Sequence, residues 1–457
     1  MEAITVKELL AAVHGELLQG DETAQILGVN TDSRTVKAGE VFVPLVGERF
    51  DGHDYIEKAI SAGAEGCLCA RVPETLLPGK FYIKVPDTLL ALKDLAAWYR
   101  AQFSIPFVQV TGSVGKTTTK EMIAAVLRTA LRTQWTEKNY NNEIGLPVSV
   151  LRLKPDCEAA VLEMGMNHFG ELSVLTRIAQ PDLAVITNIG TMHIENLGSR
   201  EGILRAKLEI LEGLRPGGRI IFNGDDALLR PLAARYHAVC FGLSEGCDVR
   251  ASRVCESAEG SKFTVHAFGK SFEAALSVPG LHNVLDALAA AAVGLLLGLS
   301  PEQIAEGLRS YAPLRQRVSH AAGMTIIDDC YNAGPESMRA ALRVLAGTPT
   351  EGRRIAVLGG MLELGDFAPE LHAGVGREAA KTADLLLAYG PCSECYVQGA
   401  HEAGLAGARA FATHDALVAA LEETCRAGDT LLFKGSHGMH MEQVLARLLK
   451  TKEHMGE

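Results

Sequence analysis

Gln109-Val-Thr-Gly-Ser-Val-Gly-Lys-Thr-Thr-Thr-Lys120 closes an apolar run, Pro106–Thr111, and opens a helix-compatible segment, Glu121–Leu131. A strand that enters a glycine-containing turn and leaves as a helix is a phosphate cradle, because backbone amides and the positive end of the helix converge on one point. Gly112 and Gly115 permit the close backbone approach, and Ser113, Val114 and Thr118 line the turn with them. Lys116 can span the β- and γ-phosphates and Thr117 can offer its hydroxyl to Mg²⁺. The strict spacing of this motif has a glycine at 110, where this chain has Val110. A turn with a surface lysine is the plainer alternative; the flanking strand and helix favour nucleotide binding.

Outward from this turn, Ala159–Met164, Leu183–Asn188 and Gly218–Asn223 are further apolar strands separated by helical segments. That alternation predicts a mostly parallel sheet whose ligands gather at the carboxyl ends of the strands. Ala238–Ala275 reads as several short polar strands, an antiparallel insert, and Leu281–Leu297 as a helix. Residues 1–104 mix short strands with amphipathic stretches such as Thr88–Phe103. Beyond Pro313 the alternation restarts at Met324–Asp328, Arg354–Gly359, Leu385–Tyr389 and Thr430–Lys434. The expectation is an α/β protein of three domains: a small N-terminal α/β domain (1–104), a central P-loop parallel-sheet domain (105–314) and a C-terminal Rossmann-like, doubly wound domain (315–457).

With 457 residues, 47% hydrophobic and a mean hydropathy of +0.12, the chain can bury several cores and is neither disordered nor membrane-embedded in composition. A formal charge of −11 argues against a nucleic-acid-binding surface, so any anionic ligand must be met by local cations. The apolar run at Leu285–Leu299 is broken by Asp286 and glycines, which makes it a buried helix rather than a membrane span. The N-terminus has no uninterrupted apolar segment of the export type. Ten cysteines are too few for a disulfide scaffold, and neither Cys67/Cys69 nor Cys392/Cys395 has a second pair at zinc spacing. A cytoplasmic monomer with reduced thiols is expected.

Mg²⁺ takes hard oxygen donors. Glu163 ends the strand Ala159–Glu163 and His193 lies just past the next strand, so both reach the sheet's ligand-binding edge. Taken singly, Glu163 reads equally as a metal ligand or a helix-terminus partner, and a lone histidine as structural; their shared position favours metal binding. The segment Ser199–Ile210 reads as a salt-bridged surface helix, and spacing does not single out Lys207. Ile326-Ile-Asp-Asp-Cys-Tyr-Asn-Ala-Gly-Pro335, with Arg317 before it, is equally a capped strand–turn–helix or a site for a moving phosphoryl group.

The order of these motifs resembles the ATP-dependent Mur ligases of peptidoglycan precursor synthesis over the whole length. Beside the loop, the resemblance rests on Thr31-Asp-Ser-Arg34, Phe50-Asp-Gly-His-Asp54, Asn139–Pro147, His282-Asn283, Ile327–Asn332, Val357–Gly365 and Lys434-Gly-Ser436. Ser113, Thr117–Lys120 and the asparagine-rich 139–147 segment are most similar to members that join D-alanyl-D-alanine to UDP-N-acetylmuramoyl-tripeptide. Tyr331-Asn-Ala-Gly334 and Lys434-Gly-Ser-His437 depart from the usual Y-N-A-N and K-G-S-R.

The resemblance implies ATP and Mg²⁺ as cofactors, an acyl-phosphate route and no nucleic-acid or membrane partner. It implies that Lys116 and Thr117 bind ATP phosphates and Mg²⁺, and that Glu163 and His193 are metal ligands. Lys207 would be a carbamate donating an anionic oxygen to a second Mg²⁺. Asn283 would meet adenine, Arg317 the γ-phosphate and Asp329 the ribose. Thr31, Asp32, Ser33, Arg34, Asp51, Gly52 and His53 would cradle the UDP end, with Asn141, Asn142 and Asn332 on the rest of the substrate. Amide ligases for another amino acid or for glutamate share this architecture, and a nucleotide-gated binding protein would share the cradle. Glu163, His193, Lys207 and Arg317 together disfavour the latter.

Overall fold

Strands β1 (Glu16–Gln19), β2 (Gly28–Asn30), β3 (Glu40–Phe42), β4 (Gly66–Cys69) and β5 (Phe81–Lys84) form a five-stranded sheet in the order β1-β5-β4-β3-β2. Only β1 runs antiparallel to its neighbour. The computed structural model describes residues 1–257, 260–313 and 317–454.

The central sheet has nine strands. Here β6 (Phe107–Thr111) leads through the glycine turn into helix α1 (Lys116–Leu127), followed by β7 (Thr133–Trp135), helix α2 (Gly145–Leu151), β8 (Ala159–Glu163) and β9 (Leu183–Ile186). After helix α3 (Arg200–Leu208) come β10 (Arg219–Asn223), β11 (Val239–Gly242), β12 (Val249–Ser257), β13 (Gly260–Ala267), β14 (Lys270–Leu276) and helix α4 (Leu281–Leu296). The order is β14-β13-β12-β11-β10-β9-β6-β8-β7, parallel from β7 to β12. Every residue of β6, β8 and β9 is buried. That is why these strands are continuous apolar runs: helices cover both faces of a parallel sheet. The strand ends β6, β8 and β9 therefore adjoin in space and deliver Gly112, Glu163 and Thr187–His193 to one edge.

One expectation changes here and another holds. The stretch 238–275 is not a separate insert: β11 continues the parallel sheet, and β12–β14 form a meander on its edge. The apolar run at 285–299 belongs to α4, a buried helix packed on α1, and no described helix is long and apolar enough to cross a membrane.

The third sheet contains β15 (Arg317–Ala321), β16 (Met324–Asp329), β17 (Arg354–Gly359), β18 (Leu385–Tyr389), β19 (Ala408–Phe411) and β20 (Thr430–Lys434), in the order β15-β16-β20-β17-β18-β19. Helix α5 (Pro335–Gly347) follows β16 and helix α6 (Ala368–Thr382) follows β17. Only β15 is antiparallel. The second and third units meet through side chains: Thr191 Oγ1 donates to Glu336 at 3.1 Å, and His193 Nδ1 bonds the carboxylate of Glu363.

Candidate active site

The turn between β6 and α1 is held in shape by the ends of the neighbouring strands. Gly112 has φ +155°, and a Cβ there would sit 1.8 Å from Thr187 Oγ1; Gly115 has φ +83°, and a Cβ would sit 2.7 Å from Asp286 Oδ1. Only glycine fits both positions. The Ser113 amide donates to the Asn188 carbonyl, the Val114 amide to Asn188 Oδ1 and the Gly190 amide to Ser113 Oγ. The amides of Ser113 and Val114, counted from sequence among the cradle, are thus directed at residue 188. The first turn of α1, Lys116–Thr118, carries the cradle's remaining donors. Lys116 Nζ curls back to the carbonyls of Gly112 and Ser113, at 2.8 and 3.2 Å.

A cleft of about 880 Å³ opens above this turn, between the second and third units. Residues 113–118, Asn141, Asn142, Glu163, His193, Asn283, Asp329 and Asn332 all line it.

Glu163, at the carboxyl end of β8, is buried. Its Oε1 accepts from Asn141 Nδ2 at 2.7 Å, while Oε2 has no hydrogen-bond partner and lies 3.8 Å from Lys120 Nζ. A buried carboxylate oxygen left unpaired is costly unless something binds there. Lys120, fully buried, donates to the Thr136 carbonyl and pairs with Glu121. It supplies the charge that keeps this corner balanced.

Asn141 thus positions Glu163, and Asn142 Oδ1 secures the start of α2 by accepting from the Gly145 amide at 2.8 Å. Both side chains also line the cleft, where the substrate role expected of them is a proposal.

Lys207 departs furthest from its local pattern. It is buried on α3, makes no ion pair among the described residues, and burial followed by the nearby Lys116 pushes its pKa well below the usual lysine value. The reading of α3 as a salt-bridged surface helix fails at this position: its neighbour Arg205 stacks on Phe169, with 4.7 Å from guanidinium to ring centroid.

Asp286, not foreseen as a site residue, lies under the turn and accepts from Thr119 Oγ1 at 2.7 Å; burial pushes its carboxyl up to about 8. An acid interrupting an otherwise apolar helix was the available signal. Asn283 donates to the Pro279 carbonyl at 2.6 Å. Asp329 is locked in a buried ion pair with Lys434 at 2.6 Å, and Lys434 also donates to the Asn332 carbonyl.

Other residues are not brought together. Arg317 is exposed on the edge strand β15 and lines not the cleft over the nucleotide turn but a cavity of about 340 Å³ that adjoins it through Asp329 and Tyr331. Pairing across the β15–β16 hairpin sets it opposite Asp328 and so turns it outward. Thr31–Arg34 and Asp51–His53 lie after β2 and β3 and line neither cavity. Arg34 pairs with Asp32 at 2.7 Å and holds that carboxyl down at about 2, while Ser33 is buried. His53 is buried with Nδ1 on Asp51 and Nε2 on the Ala70 amide, so its ring secures the loop and has no nitrogen left for a ligand.

Three family descriptions match the chain: "Mur ligase family, catalytic domain" over residues 25–100, "Mur ligase middle domain" over 110–294 and "Mur ligase, glutamate ligase domain" over 315–437. The chain is 39% identical to the UDP-N-acetylmuramoyl-tripeptide--D-alanyl-D-alanine ligase of Bacillus subtilis (strain 168), covering 98% of each. A crystal structure of MurF from Acinetobacter baumannii superposes with a TM-score of 0.91 at 34% identity, covering 98% of this chain and 99% of that one. MurF from Thermotoga maritima in complex with ADP superposes at 0.83 and 30% identity, covering 94% and 98%.

Proposed function

This chain belongs to the Mur ligase family, and from that premise we infer that its cleft joins D-alanyl-D-alanine to UDP-N-acetylmuramoyl-tripeptide, with ATP converted to ADP and phosphate. The chain is an ATP-dependent ligase of peptidoglycan synthesis. The observation that carries the site is the convergence on one edge of the nucleotide turn and the unpaired Glu163 Oε2; the buried amine of Lys207 does not line the cleft but lies near enough to Lys116 to feel its charge.

Among the described residues, no three His, Cys, Asp or Glu side chains gather as a metal cage. That suits Mg²⁺, which is commonly held by one or two protein oxygens together with substrate phosphates and water. Glu163 Oε2 and the Thr117 hydroxyl fit such a site, with His193 at its margin. Lys207 joins them once its neutral amine adds CO₂ and loses a proton, giving a carbamate oxygen. When bound, Mg²⁺ neutralises charge developing on the transferred phosphoryl group.

The acceptor's terminal carboxylate attacks the γ-phosphorus of ATP, the bond to the β-phosphate oxygen breaks, and an acyl phosphate and ADP result. The amine of D-alanyl-D-alanine, having lost its proton, attacks the acyl carbon. The tetrahedral adduct then collapses with loss of phosphate and formation of the amide. Lys116 and the first turn of α1 bear on the phosphates. Asn141 and Lys120 fix Glu163, and Glu363 fixes the His193 ring from the third unit. The contacts Thr191–Glu336 and His193–Glu363 tie the third unit to the edge of the cleft, and further closure over bound substrates would keep water, which would hydrolyse the acyl phosphate, out of it.

The cytoplasm is the compartment where ATP and the nucleotide-linked acceptor meet. We assign UDP binding to the N-terminal unit and the dipeptide to the third, with Arg317 reaching the γ-phosphate only after rearrangement.

Phosphate release measured with UDP-N-acetylmuramoyl-tripeptide, D-alanyl-D-alanine and ATP tests the assignment. Release should need all three and vanish in Lys116→Ala with the fold retained. Equal release with single amino acids in place of the dipeptide would sink it.

A further inference from the structure

Six carboxylates line the cleft, and each already has a partner. Glu163 is held by Asn141, Glu171 by the Asn167 amide and Asp226 by the amides of Ile189 and Leu228. Asp286 accepts from Thr119, Asp329 pairs with Lys434 and Glu336 accepts from Thr191. The cations are not matched in the same way. Lys116 and Arg200 donate to backbone carbonyls of the central unit. Arg339 and Arg343 also line the cleft, and neither makes a hydrogen bond or ion pair among the described residues.

These two arginines lie four residues apart on one face of α5, Arg339 half-buried and Arg343 exposed. Glu336, on the same face, anchors the start of α5 beside the nucleotide turn through Thr191. At 1.5 Å of rise per residue, the ridge then runs outward for roughly 10 Å from Glu336 to Arg343. One guanidinium nitrogen of Arg339 lies beside Gly374 of α6, 3.4 Å from where a Cβ would stand, so no side chain at that position confines it. A guanidinium fork matches a carboxylate through two parallel hydrogen bonds.

We propose that Arg339 and Arg343 form a subsite for a carboxylate on the side chain of the acceptor's third residue. It selects a residue ending in a carboxylate-bearing centre, as diaminopimelate does, over one ending in a bare ammonium, as lysine does. The inference rests on the functional reading above and gives it a substrate class. A lysine-type acceptor brings a positive charge toward two cations on α5, while no carboxylate of α5 other than Glu336, which is held by Thr191, lines the cleft there. A diaminopimelate-type acceptor brings a carboxylate together with its ammonium. The ATP triphosphate and the carboxylate of D-alanyl-D-alanine are other anions of the same cleft, and the test separates them: a role for the arginines toward the triphosphate would move the KM for ATP, and a role toward the dipeptide would cost both acceptors equally.

The test compares kcat/KM for UDP-N-acetylmuramoyl-tripeptides ending in meso-diaminopimelate and in L-lysine, at saturating ATP and D-alanyl-D-alanine. It is run on the wild type, Arg343→Met and the Arg339→Met/Arg343→Met double variant. The wild type should prefer the diaminopimelate form at least tenfold, through KM. The double variant should bring the two acceptors within about twofold while the KM for ATP stays put. Arg343→Met, an exposed position with no partner to lose, should by itself cut the preference at least threefold. No preference in the wild type, an equal loss on both acceptors, or a rise confined to the KM for ATP would each overturn the subsite; the last would assign the arginines to the triphosphate. If the wild type released phosphate with neither acceptor, the functional reading would fall and this inference with it.

Discussion

Asp286 gives the sharpest quantitative handle on the nucleotide turn. Its carboxyl is buried in α4, has one donor, Thr119, and is pushed up to about 8 from 3.8. The folded protein therefore retains a proton that the unfolded chain releases, so stability is fully present below pH 4 and is lost as pH rises toward 8. At about 1.4 kcal/mol per pH unit, and allowing for curvature near the upper value, the loss between pH 5 and pH 8 is about 3.5 kcal/mol. Asp286→Asn keeps the shape and can still accept from Thr119, but it has no proton to lose. Thermal unfolding of the nucleotide-free protein should therefore show a gap that widens with pH, the variant gaining on the wild type. For a unit of about 200 residues, 1 kcal/mol moves the midpoint by about 2–4 °C, so the gap should grow by about 7 °C or more from pH 5 to pH 8. A gap of constant size across that range would mean that Asp286 is ionised beneath the turn, and the reasoning would be wrong.

Two further outcomes probe the metal edge of the cleft. Lys207→Ala should be inactive in the phosphate-release assay and partly restored by short carboxylic acids that replace the carbamate oxygen; full activity unaided would discard the carbamate. Glu363→Ala should raise the Mg²⁺ concentration for half-maximal rate by about 10–100-fold, the usual scale for losing a partner behind a metal-binding histidine, whereas Glu363→Gln, which can still accept from Nδ1, should retain most of the wild-type response. Equal behaviour of the two variants would show that the pair only packs.

What could be read from sequence was local. Residues 106–131 place a fully buried strand, a turn and a helix in direct succession, and each part constrains the next. The strands of the parallel sheets are legible for the same reason, as runs buried on both faces. The short strands β1, β2 and β7 and the edge strands β15 and β19 were not, since they are polar or only a few residues long. Lys207 shows the limit most clearly: its helix carries the charge pattern of a surface helix, and only tertiary packing buries that one amine. The Asn142 contact with the Gly145 amide is local, three residues along the chain. The Asn141 contact is not, since its partner Glu163 is 22 residues away. For Arg317, sequence gives the residue type but not the hairpin pairing that faces it outward.

The arrangement also resolves how a chain of net charge −11 can gather several anions. Long-range attraction is not required, because most acids lining the cleft are held by partners within the fold while Arg339 and Arg343, which also line it, have no ion pair among the described residues. The local field depends on which charges are already paired, and the net charge does not report that. The same principle explains why the contact between the second and third units falls where it does. His193 and Glu363 both hold left-handed backbone, with φ of +63° and +62°, a conformation costing about 1–2 kcal/mol for a residue with a side chain. Two such residues meet across one boundary, and the bond between their side chains forms only when the units are together. Opening the cleft removes that bond and the Thr191–Glu336 contact together, yet leaves the backbone cost in place unless the loops relax. The loops are therefore shaped for an arrangement in which the second and third units touch beside the edge that carries Glu163 and His193.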